Sequence, residues 1–400
     1  MNLKSGYPFW LIKSGLVYDY PKLSSNKKTD VVIIGGGISG ALTAWELTKH
    51  GIDCIIVDAR TIGLGSTCAS TSLLQYEIDV PLTQLQHKAG IKNAVRSYKL
   101  SEKAIHEIRS ISEKIKFDEF ESRQSLFYAA YKKDVDLIKE EFELRKKHGF
   151  NLDILSSSDV KKNYGFKAPA ALLTHTAAET NAYKFTHTLL QHLKRKGTEV
   201  FDRTKIIKAK HNKRSVLLAT EDGFTINAKK VIYAVGYEVV KYIDKPIVQL
   251  LSTYAIVSEH IEMEKSFWKN NVLIWNTQKP YLYIRTTHDN RIIVGGRDED
   301  FFDASKRDKL LKHKTKLLSK DFKALFPALL FNAEFSWGGV FGSTKDGLPF
   351  IGRYHKFPNS YFALGFGGNG ITFSQTAAKI ICDDIRGKQN NDAAIFSFDR

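Results

Sequence analysis

The chain has 400 residues, of which 43% are apolar and 26% are charged, with 27 Gly and 9 Pro. This composition excludes disordered, collagen-like and low-complexity classes, and the length favours a globular chain of about two or three domains. The three cysteines, Cys54, Cys68 and Cys382, are odd in number and far apart, so they predict neither a disulfide framework nor a zinc site. A reducing, cytoplasmic location is the simplest expectation.

The net charge of +17 is spread along the chain, which a lysine-rich solvated surface explains. A polyanionic partner is the alternative. No RNA-binding signature accompanies the charge, and we expect no nucleic-acid partner. The densest basic stretch, 306–323, has leucines at helical spacing and predicts an amphipathic helix that is a candidate for peripheral membrane contact. No window reaches the ~18 apolar residues of a spanning helix, and residues 1–28 lack a signal-peptide pattern.

The first elements in the chain form a βαβ unit over residues 30–58. An unbroken apolar run at 31–34 predicts a strand buried on both faces of a parallel sheet. It leads into a glycine-rich turn, a helix that stops at Gly51, and a second buried strand at 54–57 that ends in Asp58.

The turn of this unit, Gly35-x-Gly37-x-x-Gly40, is the dinucleotide-binding fingerprint. Gly35 allows the tight turn, Gly37 lets the backbone approach a pyrophosphate, and Gly40 lets helix and strand pack closely. The helix N-terminus then presents free N–H groups to the phosphates. Asp58 is placed to accept hydrogen bonds from ribose hydroxyls, and its charge argues against NADP.

A second glycine-rich turn before a helix, 365–370, favours FAD over NAD. A helix N-terminus stabilises negative charge, which a reduced flavin carries and a nicotinamide does not.

The remaining elements predict alternating helical and strand regions without a linker, so the chain should cross between domains several times. We expect helices over most of 87–150 and over 185–196, followed by short strands over 198–235 with a buried strand at 231–236. Long antiparallel strands are expected at 247–260 and 272–298, with a turn at Asp289-Asn290. Glycine-rich turns, short strands and a terminal helix are expected over 336–385.

Four blocks carry a family resemblance: 30–60, 63–75, 231–237, and 344–352 followed by 365–372. In these blocks the chain resembles the FAD-dependent D-amino-acid-oxidase-like (DAO) family, which includes glycine oxidase, sarcosine oxidase and γ-glutamylputrescine oxidase. The resemblance implies an α/β fold in which a Rossmann-like FAD-binding domain is intertwined with a smaller α+β substrate domain. We place the FAD domain at 1–86, 160–245 and 336–400, and the substrate domain, whose antiparallel sheet covers the flavin, at 87–159 and 246–335.

The motifs and the resemblance together assign a set of residues to FAD. These are Gly35, Gly37, Ile38, Ser39, Gly40, Asp58, Ala59, Arg60, Gly65, Ser66, Thr67, Ser72, Leu73, Leu74, Gln75, Ile206, Gly236, Gly342, Gly368, Asn369, Gly370, Ile371 and Thr372.

Two departures from the family pattern matter. Members similar to glycine oxidase have an arginine that pairs with the substrate carboxylate, and its position matches Phe341 here. Members similar to sarcosine oxidase hold flavin covalently through a cysteine in this stretch, whereas residues 335–345 contain no cysteine, so we expect non-covalent FAD.

The substrate strand is predicted at 280–285. Because a strand has period two, Tyr281, Tyr283 and Arg285 share one face, and all three are candidates for the substrate side. Each also has a structural alternative: a half-buried strand aromatic for the tyrosines, and an ion pair, which we favour, for Arg285. Whether Arg285 or Arg297 replaces the missing arginine is left open.

The expected function is flavin-dependent oxidation of a carbon–nitrogen bond in a small-molecule amine or N-substituted amino acid. Hydride would pass to flavin N5, and O₂ or another acceptor would reoxidise the cofactor, O₂ giving H₂O₂. Two alternatives are a dehydrogenase of the same fold that passes electrons from a 2-hydroxy acid or amino acid to a quinone, and a non-catalytic flavoprotein that binds a polyanion. No metal site is expected, since the histidines show no metal-ligand spacing with carboxylates.

Overall fold

The structure, a computed structural model, describes residues 1–262, 267–364 and 366–400, without the side chain of Lys241. Within these residues the α-helices are α1 (Phe9–Ser14), α2 (Ile38–Lys49), α3 (Leu82–Ala89), α4 (Ile91–Ile115), α5 (Val135–Lys147), α6 (Ser157–Tyr164), α7 (Ala182–Arg195), α8 (Ala304–Leu325) and α9 (Gly370–Ile385). Short 3₁₀ turns lie at Lys132–Asp134, Gly236–Lys241, Lys269–Asn271, Gly367–Asn369 and Ala393–Phe396.

The strands of the same residues are β1 (Lys4–Gly6), β2 (Lys27–Ile34), β3 (Cys54–Val57), β4 (Leu73–Gln75), β5 (Phe120–Tyr128), β6 (Leu152–Ser156), β7 (Ala170–Thr180), β8 (Glu199–Phe201), β9 (Ile206–His211), β10 (Val216–Thr220), β11 (Thr225–Tyr233), β12 (Gln249–Ser258), β13 (Leu273–Asn276), β14 (Tyr283–Thr286), β15 (Ile292–Glu299), β16 (Ala333–Ser343), β17 (Phe350–Arg353) and β18 (Ser360–Leu364).

The smaller sheet has a parallel centre in the order β18-β11-β2-β3-β8, with β17 antiparallel at one edge and the β9–β10 pair added to β11. The four apolar residues that end β2 and the four of β3 are all buried. Helices cover one face of these strands and a second apolar cluster covers the other. A strand covered on both faces must be apolar throughout, which explains these unbroken runs.

Helix α2 packs closely against the start of its own βαβ unit because residue 40 is glycine. A Cβ added to Gly40 would lie 1.9 Å from the carbonyl oxygen of Gly35, closer than any two such atoms can approach. The predicted role of Gly40 in helix–strand packing is therefore what this local geometry requires.

The larger sheet runs β1-β16-β12-β15-β14-β13-β5-β7-β4, with β6 paired to β7. Its neighbours are antiparallel except β13 and β5. The pairing of β12 with β16 extends from Gln249 opposite Ser343 to Ser258 opposite Ala333. Helix α8 packs on this end of the sheet, burying Leu318 and Phe322 in an apolar cluster with strand residues.

The α/β fold class, the βαβ unit, the helix at 185–196 and the helix at 306–323 are confirmed. Two expectations were wrong. Residues 120–128 lie within the stretch expected to be helical, but they form β5, which pairs with β7 and β13. Residues 272–298 contain three strands rather than two long arms, because the chain turns twice within them.

The two sheets draw on the predicted domain segments unequally. Within the described residues, the smaller sheet takes its strands from segments assigned to the FAD domain. The larger sheet also takes β1, β4, β7 and most of β16 from those segments. The boundaries themselves stay a prediction.

Candidate cofactor and substrate site

A cavity of about 650 Å³ is lined by residues of both sheets. One part of its wall is the glycine turn after β2, and another part is formed by β12, β16 and the aromatic residues next to β14. The cavity is therefore placed where the carboxyl ends of the parallel strands face the larger sheet, a usual ligand position in open α/β sheets.

The first glycine turn leaves the start of α2 facing the cavity. Gly35 adopts φ +113°, and a Cβ there would lie 2.3 Å from the carbonyl oxygen of Ala234. The helix begins at Ile38, whose N–H donates to the Thr67 hydroxyl at 3.1 Å. Its N-cap residue is Gly37, which has no side chain to occupy the helix end, so the helix terminus can face an anion.

Asp58 is held at the cavity wall by two backbone donors. Its carboxylate accepts the N–H of Gly36 at 2.7 Å and the N–H of Arg60 at 2.8 Å. Burial raises the pKa of Asp58, and these two N–H groups act against that rise. Each carboxylate oxygen keeps acceptor capacity for a further donor, such as a ribose hydroxyl.

The segment after β3 supplies hydroxyl groups to the same wall. Ser66 and Thr67 line the cavity, and the Ser66 hydroxyl is buried with no partner among the described residues. The next residue, Thr67, accepts the first N–H of α2, and an unpaired buried hydroxyl beside it suits a phosphate oxygen, which would accept its hydrogen bond. The residues present therefore fit the pyrophosphate and ribose of a dinucleotide.

The second glycine-rich turn leads into α9. Gly365 lies outside the described residues, while Gly367 and Gly368 line the cavity just before the helix begins at Gly370. The Asn369 amide donates to the carbonyl oxygens of Gln75 at 3.1 Å and Glu77 at 2.7 Å. These bonds fix the N-terminus of α9 against the segment that follows β4.

Most residues assigned to FAD from the sequence line this one cavity. They are Gly35, Gly37, Ile38, Ser39, Asp58, Ala59, Arg60, Gly65, Ser66, Thr67, Ser72, Leu73, Gln75, Ile206, Gly236, Gly368, Asn369, Gly370 and Ile371. Four others do not line it. Gly40 packs on Gly35, Leu74 is in the core, Gly342 packs against Val248 and Tyr237, and the Thr372 hydroxyl donates to the Asn369 carbonyl.

Aromatic residues line the cavity near the second turn. Tyr281 and Tyr283 both lie there, with ring centroids 5.8 Å apart. Trp275 stands edge-on to Tyr281 at 5.9 Å, and Phe341 completes the wall. Sequence analysis did not identify Trp275, whose indole N–H donates to the Ser125 hydroxyl at 3.2 Å.

Neither candidate arginine lines the cavity, which corrects their assignment to the substrate side, and Arg285 forms the ion pair that the sequence analysis favoured. Arg285 is buried with its guanidinium turned to the carbonyl oxygens of Ser72 and Thr180, at 3.0 and 2.9 Å, and to Glu179 at 3.4 Å. Arg297 is part-exposed and pairs with Asp321 at 2.7 Å. Arg285 shares the face of Tyr283 in β14, but its guanidinium is fully engaged by these carbonyl oxygens and Glu179 and does not line the cavity.

Four acidic residues of the lining, Glu77, Asp79, Glu238 and Asp298, were missed, and two of them, Asp79 and Asp298, act on Tyr281. Asp79 accepts the Tyr281 hydroxyl at 3.0 Å and the Gly368 N–H at 2.7 Å. Asp298 lies in β15, where the register with β12 shifts between Ser252 and Tyr254. A signal was present in the sequence, since Asp79 interrupts the apolar stretch 78–82, but no spacing rule links it to Asp298.

Within the described part of the chain, no group of three or more His, Cys, Asp and Glu side chains is arranged to hold a metal ion. Among the same residues, no helix combines the length and apolar character needed to cross a bilayer.

The chain is similar to several proteins of known sequence or structure along nearly all its length. It is 24% identical over 399 residues to YhfW of Bacillus subtilis (strain 168), whose name describes a Rieske 2Fe-2S iron-sulfur protein, covering 97% of this chain and 74% of that protein. It is 23% identical to the γ-glutamylputrescine oxidoreductase of Escherichia coli (strain K12), covering 92% and 86%. The glycine oxidase structure from Geobacillus kaustophilus shares the fold, with a TM-score of 0.77, 18% identity and coverage of 93% and 98%.

The family assignment rests on residues 30–384, which match the DAO family, described as FAD dependent oxidoreductase. This match confirms the resemblance found in the sequence, and FAD fits the cavity residues described above. The chain belongs to the DAO family and is an FAD-dependent oxidoreductase of the amine and amino-acid oxidase type.

Proposed function

We propose that the chain oxidises the carbon–nitrogen bond of an amine or N-substituted amino compound, with O₂ as acceptor and H₂O₂ as a product. The observation that carries this proposal is the wall around Tyr281 and Tyr283, which is aromatic and has no lysine or arginine among the described lining residues nearby. The lining cations, Arg60 and Lys205, lie beside Asp58 and Ile206 at the nucleotide part of the cavity.

Phe341 supports an amine over a simple α-amino acid. It lines the cavity at the position where glycine-oxidase-like sequences have their arginine, and a phenyl ring cannot form the bidentate clamp that a carboxylate prefers. The name of the relative γ-glutamylputrescine oxidoreductase describes an amine derivative, which agrees with this proposal.

When bound, FAD supplies the two-electron acceptor that takes a hydride from the carbon next to nitrogen. Tyr281 and Tyr283 orient the substrate and exclude water from the reacting carbon. The amine reacts in its neutral form, so no strong acid–base residue is needed at the reacting nitrogen. The N-terminus of α9 favours negative charge next to it, and the imine product hydrolyses in water.

The test is anaerobic reduction of the purified holoenzyme by a panel of amines, N-methyl amino acids, D-amino acids and 2-hydroxy acids. The flavin absorbance is recorded to detect the reduction. We expect bleaching by an amine class and rapid recovery with H₂O₂ when air is admitted. Reduction by free α-amino acids alone would overturn the substrate class. Slow recovery in air would overturn the assignment of O₂ as acceptor.

A dehydrogenase that passes electrons from a 2-hydroxy acid or amino acid to a membrane quinone is the second candidate, and helix α8 favours it. Its leucines face the larger sheet, while Lys306, Lys309, Lys312, Lys316, Lys320 and Lys323 are exposed. A row of lysines can bind an anionic bilayer surface. Co-sedimentation with phosphatidylserine vesicles, lost at high salt and in a variant with these lysines changed to glutamine, would support this candidate.

We also propose that the chain functions in the cytoplasm. All three cysteines are free and buried, as expected of a chain that folds in a reducing compartment.

A further inference from the structure

The cavity beside Tyr281 and Tyr283 is lined by two carboxyl groups, although the chain as a whole is strongly positive. Asp79, from the segment after β4, and Asp298, from β15, both line it. The two carboxylates are close enough that the charge of Asp79 raises the pKa of Asp298. An acidic patch at this place is the opposite of what a carboxylate-bearing substrate requires.

No cation of the described residues forms an ion pair with either carboxylate. Asp79 receives only the neutral donors of Tyr281 and Gly368, and the Oδ1 atom of Asp298 is buried without any hydrogen-bond partner. Lys314 lies near Asp298, but its ammonium is bound to the Arg297 carbonyl at 2.8 Å and to Glu299. Partly buried carboxylates without a counterion are destabilised by desolvation, and a bound cation would offset that cost.

The aromatic rings around the carboxylates complete a surface suited to an ammonium group. Trp275, Tyr281, Tyr283 and Phe341 share the lining with both aspartates. Aromatic faces attract ammonium ions, and the attraction grows when the ion is desolvated. Carboxylates and aromatic rings therefore recognise the same chemical group from different sides.

Resting on the proposed function, we infer that the substrate carries a second, positively charged nitrogen, and that Asp79 and Asp298 bind it while the neutral amine is oxidised. The substrate class is thus a diamine or an amine with a remote ammonium group. Asp79 and Asp298 are specificity-determining residues in this assignment.

The bound nitrogen has to be a different one from the oxidised nitrogen. A neighbouring carboxylate favours the charged form of an amine, and a protonated amine has no lone pair to assist departure of the hydride. Two carboxylates at the reacting nitrogen would therefore hinder its oxidation. The same carboxylates promote oxidation when they bind a remote nitrogen of the substrate.

The test compares three substrates that share the reacting amine and differ at the far end: α,ω-diaminobutane, ω-aminobutanol and ω-aminobutanoate. We expect kcat/KM of the holoenzyme to decrease in that order, with the diamine preferred over the alcohol by about tenfold or more, as for a charged hydrogen bond. If all three reduce the flavin with equal kcat/KM, this inference is wrong and the proposed function stands. If none of the three reduces it while another amine of the wider panel does, this inference is wrong and the proposed function stands; if no amine of that panel reduces it, the proposed function fails.

The variants Asp79→Asn and Asp298→Asn keep side-chain size while removing the charge. Each should lower the diamine-to-alcohol ratio of kcat/KM by about tenfold. The matched control is Asp136→Asn, an equally sized charge change on the exposed surface of α5, which should leave the ratio unchanged.

Binding without turnover gives an independent measurement. Choline, a quaternary ammonium ion, and its uncharged carbon isostere 3,3-dimethylbutanol are titrated into oxidised holoenzyme by calorimetry. Choline should bind more tightly, and both aspartate variants should remove its advantage. Equal binding of the two compounds to the unchanged enzyme, or an advantage that survives in both variants, would overturn the assignment.

Discussion

At the scale of single residues, the Asp298 carboxylate links pH to substrate choice. Burial raises its pKa to about 6, and the charge of Asp79 adds to the rise, while the Thr253 hydroxyl opposes it. Below that pH Asp298 holds a proton and no longer attracts a cation. The groups that act on it electrostatically are Asp79, Lys314, Glu299, Tyr281 and Tyr283.

We therefore predict that the diamine-to-alcohol ratio of kcat/KM decreases as pH falls through about 6. Taking the ratio cancels the ionisation of the reacting amine, which both substrates share. Asp298→Asn should weaken this pH dependence, and what remains of it belongs to Asp79, whose pKa is also raised by burial. A wild-type ratio that stays constant from about pH 5 to about pH 8 would contradict the role of Asp298.

Asp58 provides the second residue-scale prediction. In Asp58→Asn one acceptor oxygen becomes an amide donor that faces the N–H groups of Gly36 and Arg60. We expect FAD to bind about tenfold more weakly, or worse, since a charged hydrogen bond is lost. Flavin fluorescence released on dilution measures the dissociation constant. Asp30→Asn, on the same sheet but exposed and paired with Lys229, is the control and should retain the wild-type value.

At the scale of elements, the contact between α2 and the glycine turn can be broken by one methyl group. In Gly40→Ala the new Cβ would meet the Gly35 carbonyl oxygen at 1.9 Å, so helix and turn must separate. We predict a loss of about 3 kcal/mol in the free energy of unfolding, because overpacking forces a backbone shift. Urea unfolding of the apoprotein measures it. Lys49→Ala, exposed on the same helix, should change stability by less than about 0.5 kcal/mol.

The same element shows what a sequence can predict. The β2–α2–β3 unit was recognisable because its signals are local: an apolar run, three spaced glycines and a terminal acid within one short stretch. Strand β5 was not, because its first half is polar and half-exposed and its partners, β7 and β13, lie far along the chain. Only those distant partners decide that 120–128 is extended rather than helical.

At the scale of the whole molecule, net charge does not describe the substrate site. The sum of +17 fits the solvated lysine-rich surface that the sequence predicts, whereas the cavity holds Asp79 and Asp298. Surface charge is screened within about 8 Å at physiological ionic strength, so distant lysines contribute little inside a cavity. Asp79 and Asp298 become neighbours only when the larger sheet brings β15 next to β14 and the second glycine turn, which no local pattern in the sequence encodes.

The positions of the cysteines in the whole molecule determine how FAD can be attached. None of the three cysteines lines the cavity: Cys54 and Cys382 lie in one apolar core cluster, and the Cys68 thiol is buried and donates to the Gly65 carbonyl at 3.4 Å. Burial also raises the pKa of the Cys68 thiol, which disfavours the reactive thiolate. FAD should therefore stay non-covalent.

Acid precipitation of the holoenzyme should leave all flavin in the supernatant, and the apoprotein should regain its absorbance spectrum when FAD is added back. Because FAD binds only the folded chain, a hundredfold excess over its dissociation constant should add about 2.7 kcal/mol of stability. Flavin that remained with the precipitate would show a covalent bond, and Cys68→Ser would then identify or exclude this thiol as the attachment point. Flavin released from wild type and Cys68→Ser alike would leave the hydrogen-bonding groups of the cavity wall as its sole anchorage.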